Sequence, residues 1–307
     1  MCRSFPTRSS SSRGCSPVMT EHSRIQKDRV RLAFSRAAPT YEASAELQRL
    51  VSDEMLQRLE FIRMQPERVL DAGCGTGMGL RGLEKKYRKA QVVGVDFAEG
   101  MLREARRGGR FWHRPLLAGG DIECLPVRSD AVDLFFSSLT LQWCPDPGPA
   151  FAEAARVLRS GGLFFFTTLG PDTLQELRSS WASVDDLPHV NAFADMHDIG
   201  DALVNNGFAD VVMDVERFVL NYESVRAVAE SLRHIGAVNH NAGRQGGLTG
   251  RNRWEAMVDA YAAFRNDNGS YPATYEVIFG HAIRPEVVSA DSHGVARIPI
   301  SGLKPSR

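Results

Sequence analysis

The stretch "VLDAGCGTG", Val69 to Gly77, decides the fold of this chain. A short apolar run ends in an acid and is followed at once by glycines at every second position, which predicts a strand entering a tight turn that cradles a charged ligand. Downstream, apolar runs and helical stripes alternate: strands are expected over 68–73, 90–96, 116–119, 131–138 and 161–170, with helices to about Arg88, over 99–107 and over 148–159. That is the βαβ alternation of a doubly wound, mostly parallel sheet, an α/β fold. Helices follow near 173–180 and 196–206, the second closed by Gly207, then strands over 209–222 and 273–284. If these last two pair as a hairpin, the sheet has seven strands. The segment 223–271 between them is far longer than the usual hairpin loop of roughly two to five residues, so a functional helical insertion, a lid, is expected there.

Upstream of the first strand, Val30, Ala33, Phe34 and Ala37 share one helical face, and Leu47, Leu50, Val51, Met55, Leu59 and Ile62 share another. Pro39 separates the two. Residues 21–66 therefore read as N-terminal helices of a domain spanning 21–284, with 1–20 and 285–307 as disordered tails. The first nineteen residues hold three arginines and no acid. That composition also suits a mitochondrial transit segment, or an upstream start with Met19 as the true beginning.

Composition narrows the function classes. The chain has 307 residues, 43% hydrophobic and 24% charged, with a formal net charge of zero. It holds no apolar run near the roughly 20 residues a membrane span needs, so no membrane anchor is expected. No whole-chain field favours nucleic acid. The five cysteines, Cys2, Cys15, Cys74, Cys124 and Cys144, show neither close pairing nor a metal-type spacing with histidines, which predicts reduced thiols, no metal and a reducing, cytoplasmic setting.

The glycines discriminate between cofactors. Read from Gly77, "GMGLRG" satisfies the dinucleotide pattern G-x-G-x-x-G, but it starts four residues too late to follow the strand. Read from the strand end, Asp71, Gly73, Gly75 and Gly77 give D-x-G-x-G-x-G, which resembles the class I S-adenosylmethionine-dependent methyltransferases, a Rossmann-like fold. The amino-acid end of S-adenosyl-L-methionine carries an ammonium rather than a pyrophosphate, so a carboxylate such as Asp71 suits it, with glycines for close backbone approach. Asp96, at the second strand end, suits two ribose hydroxyls, although NAD sites also place an acid there. In "GGDIECLPV", Asp121 stands where the resemblance implies an acceptor for the adenine amine, with Ile122 packing on the ring. Phe97 and Met101 are cofactor contacts or core residues, and Ser138 is a further cofactor contact.

Beyond that shared core, "AAPTYEASAELQ", "GDIECLP", "LTLQWCPD", "FFFTTLGPDTLQELR", "LRHIGAVNHNAGR" and "YPATYEVIFGHAIR" resemble the malonyl-[acyl-carrier protein] O-methyltransferase family of biotin synthesis. The resemblance implies methylation of the free carboxylate of a malonyl thioester, carried by acyl carrier protein or coenzyme A, to give the ester that primes pimeloyl synthesis. A malonyl carboxylate, of pKa about 4, is already a nucleophile at neutral pH, so no general base is required. Its charge vanishes as the new bond forms, so moderate donors should orient it.

Tyr41 is the first candidate for that role, with anchoring of the helix pair as its alternative. Gln142 and Trp143, beyond the fourth strand, are candidates for the acceptor pocket, Trp143 being alternatively core. Arg233 and Arg244, on the insertion, are candidate clamps for a carboxylate or a carrier phosphate. His234 and His240 have no evident third ligand and read as solvated. Acyl carrier proteins are acidic, so Arg24, Lys27, Arg29, Arg31 and Arg36, with Arg244, Arg251 and Arg253, form a candidate docking surface. Three other readings stay open: an arginine-hydroxylase-like assembly factor of mitochondrial complex I, a methyltransferase of another small molecule, and a non-catalytic sensor of the same cofactor.

Overall fold

The computed structural model describes residues 27–108, 115–235 and 250–286. The chain opens with α1 (Lys27–Ala37), one turn of 3-10 helix at Ala38–Thr40, α2 (Tyr41–Ser44) and α3 (Glu46–Arg58). Alternation then begins: β1 (Arg68–Ala72), α4 (Met78–Lys86), β2 (Gln91–Asp96), α5 (Glu99–Gly108), β3 (Leu116–Gly119), β4 (Val132–Ser137), α6 (Gly148–Val157) and β5 (Leu158–Leu169). The remainder is α7 (Gln175–Ala182), α8 (Met196–Asn205), β6 (Ala209–Tyr222), α9 (Val225–His234), α10 (Arg251–Tyr261) and β7 (Tyr271–Ile283). The second predicted stripe reached Ile62, but α3 stops at Arg58.

These strands form one seven-stranded sheet in the order β3-β2-β1-β4-β5-β7-β6. The first five run parallel, and β7 pairs antiparallel with both β5 and β6. Pairing of Ala209 with Ile283 and of Tyr222 with Tyr271 makes the last two strands a long hairpin, with α9 and α10 between them in sequence.

Alternation along the central strands builds two cores. Val69, Leu134, Phe136, Leu163 and Phe165 pack with Val51 and Met55 of α3, Leu80 of α4 and Met257 of α10. Their neighbours Leu70, Phe135, Phe164 and Phe166 point the other way, onto Phe151 of α6 and Leu203 of α8. Both faces are covered, which explains why β4 and β5 read as continuous apolar runs. Burying one phenylalanine is worth roughly 1.5–3 kcal/mol. The order reverses between β1 and β4, and in such sheets the crevice at the carboxyl ends beside that reversal takes the ligand.

Candidate active site

The glycine bend occupies that crevice. Gly73 and Cys74 donate to the Val95 carbonyl at 2.8 and 3.0 Å, and Gly77 donates to the Cys74 carbonyl at 2.8 Å. Gly73 and Gly77 have φ of +80° and +85°, a region costly for residues with a Cβ. A Cβ on Gly73 would lie 2.0 Å from the Thr140 Oγ1, so the bend is pressed against the segment after β4. Gly77 is the N-cap of α4. The dinucleotide-like pattern starting there therefore runs into the helix instead of crossing the turn.

Asp96 ties the bend to β2. Its Oδ2 accepts from the Gly75 N–H at 2.9 Å and its Oδ1 from the Ala98 N–H at 2.8 Å. Burial pushes its carboxyl up to about 6 against those two bonds. Asp71, 2% exposed, is pushed up to about 8, by burial first and the neighbouring Asp96 second. It receives the Leu80 N–H in the first turn of α4, while its Oδ2 has no partner.

A cavity of about 370 Å³ opens beside the bend, within the range of small-molecule sites. Of the cofactor residues singled out in the sequence, Gly73, Gly75, Asp96, Phe97, Met101, Asp121, Ile122 and Ser138 line it. Asp71 and Gly77 are not in the lining, and Asp71 lies behind the bend, where its unpartnered oxygen approaches Gly79. Met101 is buried and, like Phe97, packs with Phe34 and Tyr41, so both wall the cavity while belonging to a small core.

Asp121 carries a contact that its position in sequence does not show. The Lys27 Nζ reaches its two carboxylate oxygens at 2.9 and 2.8 Å and the Glu123 carboxylate at 2.7 Å. Burial draws the Lys27 ammonium down, but these bonds outweigh it and the net shift is upward. Lys27 thus sits inside the site, away from the surface patch expected for it. A second tie also joins residues distant in sequence: Glu42 of α2 accepts from the Thr76 Oγ1 at 2.8 Å and pairs with Arg81 at 2.7 Å, clamping α2 over the glycine bend.

The candidate acceptor residues Tyr41, Gln142, Trp143 and Arg233 also line the cavity. Tyr41 meets Phe34 edge-on at 6.3 Å, and burial together with the Asp96 charge pushes its phenol up, so it is a hydroxyl donor at neutral pH. The Trp143 ring also meets Phe34, at 5.2 Å. Gln142 gives its Nε2 to the Leu139 carbonyl at 2.6 Å and leaves a buried Oε1 without a partner. Leu139 has φ of 48°, a strained conformation for leucine, held by a bond from its N–H to the Thr167 Oγ1 at 3.0 Å. Arg233 is exposed at the end of α9. Arg244, Arg24 and His240 lie outside the described residues.

Three further lining residues come from α7, the loop behind it and α10. The His189 ring stacks on Trp181 at 3.7 Å and 8°, its Nε2 lies 2.9 Å from the Asp185 Oδ1, and the Arg253 guanidinium pairs with the Asp185 Oδ2. Arg253, expected on a docking surface, belongs to the cavity wall. No periodicity or short motif announces this set, because 68 positions separate Asp185 from Arg253. Among the described residues no group of three or more His, Cys, Asp or Glu is placed to hold a metal.

The residues present fit S-adenosyl-L-methionine. They offer a bend open to close backbone approach at Gly75, where a Cβ would meet nothing within 4 Å, and the acids Asp96 and Asp121 at successive strand ends in the cavity wall.

Known proteins share this fold. A methyltransferase domain family matches residues 70–166. In fold, the chain is similar to the YcgJ protein from Bacillus subtilis, with a TM-score of 0.54 at 19% identity, over 76% of this chain and 99% of that one. It is similar likewise to a putative methyltransferase from Bacillus halodurans, with a TM-score of 0.52 at 17% identity, over 76% and 99%. In sequence it is 52% identical over 275 residues to the malonyl-[acyl-carrier protein] O-methyltransferase of Laribacter hongkongensis, covering 87% of this chain and 92% of the relative. It is 49% identical over 267 residues to that of Gallionella capsiferriformans, covering 85% and 92%. On this near full-length kinship, the chain belongs to the malonyl-[acyl-carrier protein] O-methyltransferase family.

Proposed function

We propose that this chain methylates the free carboxylate of a malonyl thioester, the step that masks it for elongation toward pimelate in biotin synthesis. The observation that carries the reading is one cavity whose wall combines the glycine bend and strand-end acids with guanidinium groups from the helices between β6 and β7. S-adenosyl-L-methionine, the methyl donor, supplies an activated methyl group on a sulfonium. Gly73, Gly75, Asp96, Asp121 and the side chains of Phe97, Met101, Ile122 and Ser138 hold it, with Asp71 shaping the bend from behind.

The work left to the protein is orientation and exclusion of water, because the acceptor carboxylate is already ionised at neutral pH. Tyr41, fixed as a neutral hydroxyl, donates to that carboxylate. Gln142, with its amide nitrogen committed to Leu139, serves as an acceptor. Trp143 with Phe34 closes the apolar wall, and Arg233 and Arg244 act toward the carboxylate or the carrier's phosphate from the inserted segment. Purified protein with radiolabelled S-adenosyl-L-methionine is expected to label malonyl-CoA or malonyl-carrier while acetyl-CoA stays inert. Tyr41→Phe is expected to slow that turnover about tenfold with donor binding unchanged, as for loss of one hydrogen bond. Labelling of acetyl-CoA, or of no thioester, contradicts the reading, and the second result leaves the sensor alternative.

Carrier preference is a finer proposal. Arg29, Arg31 and Arg36 of α1 and Arg251 of α10 are exposed, and these are the described candidates for contact with an acidic carrier. Reversing the charge at Arg29 and Arg31 is expected to reduce kcat/KM for carrier-bound substrate severalfold and to leave malonyl-CoA turnover nearly unchanged. Equal losses on both substrates would remove α1 from the docking surface.

A further inference from the structure

On the side of the cavity built by α7 and α10, the wall holds a cation that is fixed as well as half-buried. The Arg253 side chain, on α10, is 36% exposed, and its partner Asp185, in the loop behind α7, is 17% exposed. Asp185 is itself immobilised: its Oδ1 accepts the Leu187 N–H at 2.9 Å and meets the His189 Nε2 at 2.9 Å. His189 is held flat on Trp181 of α7. Arg253, His189, Trp181 and Leu187 all line the cavity, whereas Asp185 stands behind them.

We infer that Arg253 binds the acceptor carboxylate and that Asp185 positions and tempers it, an assignment that rests on the reading of this chain as a malonyl-thioester methyltransferase. A guanidinium is a planar fork of N–H donors that matches a carboxylate in shape. An arginine exposed at the rim, such as Arg233, is screened by solvent and suits the carrier's phosphate better than the reacting carboxylate. Arg253 is held by an anchored partner inside the wall, so little side-chain freedom is lost when a ligand arrives.

Tempering answers a requirement of the chemistry. The acceptor oxygen gives an electron pair to the methyl carbon as the carbon–sulfur bond breaks, so the carboxylate loses its charge and the sulfonium becomes a neutral thioether. A bare cation beside that oxygen would hold the reactant better than the transition state and slow the step. Asp185 offsets much of the Arg253 charge, while the planar fork keeps its directional geometry. Although burial alone would raise it, the bonds from Arg253, Leu187 and His189 draw the Asp185 carboxyl down to about 2, so the offsetting charge persists across the working pH range.

The test uses the full chain and reads selectivity. In wild-type protein malonyl-CoA is expected to bind roughly ten- to a hundredfold more tightly than acetyl-CoA, the range of a hydrogen bond to a charged group. Arg253→Gln should abolish that preference, leaving acetyl-CoA and S-adenosyl-L-methionine affinities within about twofold, and Arg253→Lys should restore part of it. Asp185→Asn, which keeps the shape and removes the charge, should lower KM for malonyl-CoA and lower kcat with it, a pattern that loosening of the wall does not produce.

An unchanged preference in Arg253→Gln, or a Asp185→Asn variant with raised KM and unaltered kcat, overturns the assignment while wild-type methylation leaves the function standing. A wild-type protein that neither methylates malonyl-CoA nor prefers it overturns the function reading, and this inference falls with it.

Discussion

Gly73→Ala is expected to lose catalysis on the order of a hundredfold or more and to melt roughly 10 °C earlier. Two separate penalties meet at this position. The backbone stands at φ +80°, where a side chain costs roughly 1–2 kcal/mol. The new methyl would also lie 2.0, 2.5 and 2.8 Å from the Oγ1, Cγ2 and Cβ of Thr140, an overlap relieved only by moving the bend or the segment after β4, at roughly 1–3 kcal/mol. Both segments wall the cavity, so the relief is taken from the site. A double-mutant cycle separates the penalties. Thr140→Gly removes all three overlapping atoms and should recover the packing share in the Gly73→Ala background, leaving the conformational share. Thermal unfolding and S-adenosyl-L-methionine affinity of the four proteins check this, and strict additivity of the two substitutions would refute the overlap.

The second large effect is a pH dependence. The folded-state pKa values of Asp71 and Asp96, about 8 and about 6, lie above the roughly 3.9 of an unfolded aspartate. Between those limits the folded ligand-free chain holds more protons than the unfolded one, so the slope of unfolding free energy against pH is negative. Stability from these groups is fully present below about pH 4. It falls as pH rises, through about 6 for Asp96 and about 8 for Asp71, and levels off beyond. At about 1.4 kcal/mol for each unit, displacements of about 4 and about 2 units bring the loss across the window to the order of 8 kcal/mol.

Asp71→Asn retains an acceptor for the Leu80 N–H and has no charge to bury. It is therefore expected to flatten the decline between about pH 6 and 8 and to be the more stable protein at pH 8. Melting curves from pH 5 to 9 for both proteins decide the matter, and parallel curves would show that Asp71 does not titrate in this window.

Much of this molecule is legible residue by residue. Strand β6 falls on 209–222 and strand β3 on 116–119 as expected, because each is an apolar or alternating run bounded by glycine or by turn residues. Boundaries slip where the cause is tertiary. The third helix stops at Arg58, whose guanidinium is drawn to Glu54, Asp214 and Glu216 and lies 3.9 Å from the Phe279 ring. Candidate residues at or shortly after strand ends, such as Asp96, Asp121 and Ser138, reach the cavity because the end of a parallel strand has a fixed place in such a sheet. Arg253 was expected on the outside because a surface helix shows its charges without showing which of them turns inward.

By itself the order of residues determined the doubly wound sheet, the glycine bend, its preference for a sulfonium nucleoside over a dinucleotide, and the kinship with carboxylate methylators. Those properties are local or periodic, written within one strand, one turn or one helical repeat. Only the folded chain decided that Asp71 lies behind the bend, that Lys27 reaches Asp121, that Glu42 clamps Thr76 and Arg81, and that Asp185 grips Arg253. Each of these depends on which charges are brought together as water is excluded, and burial and partner distance exist only once distant segments have packed.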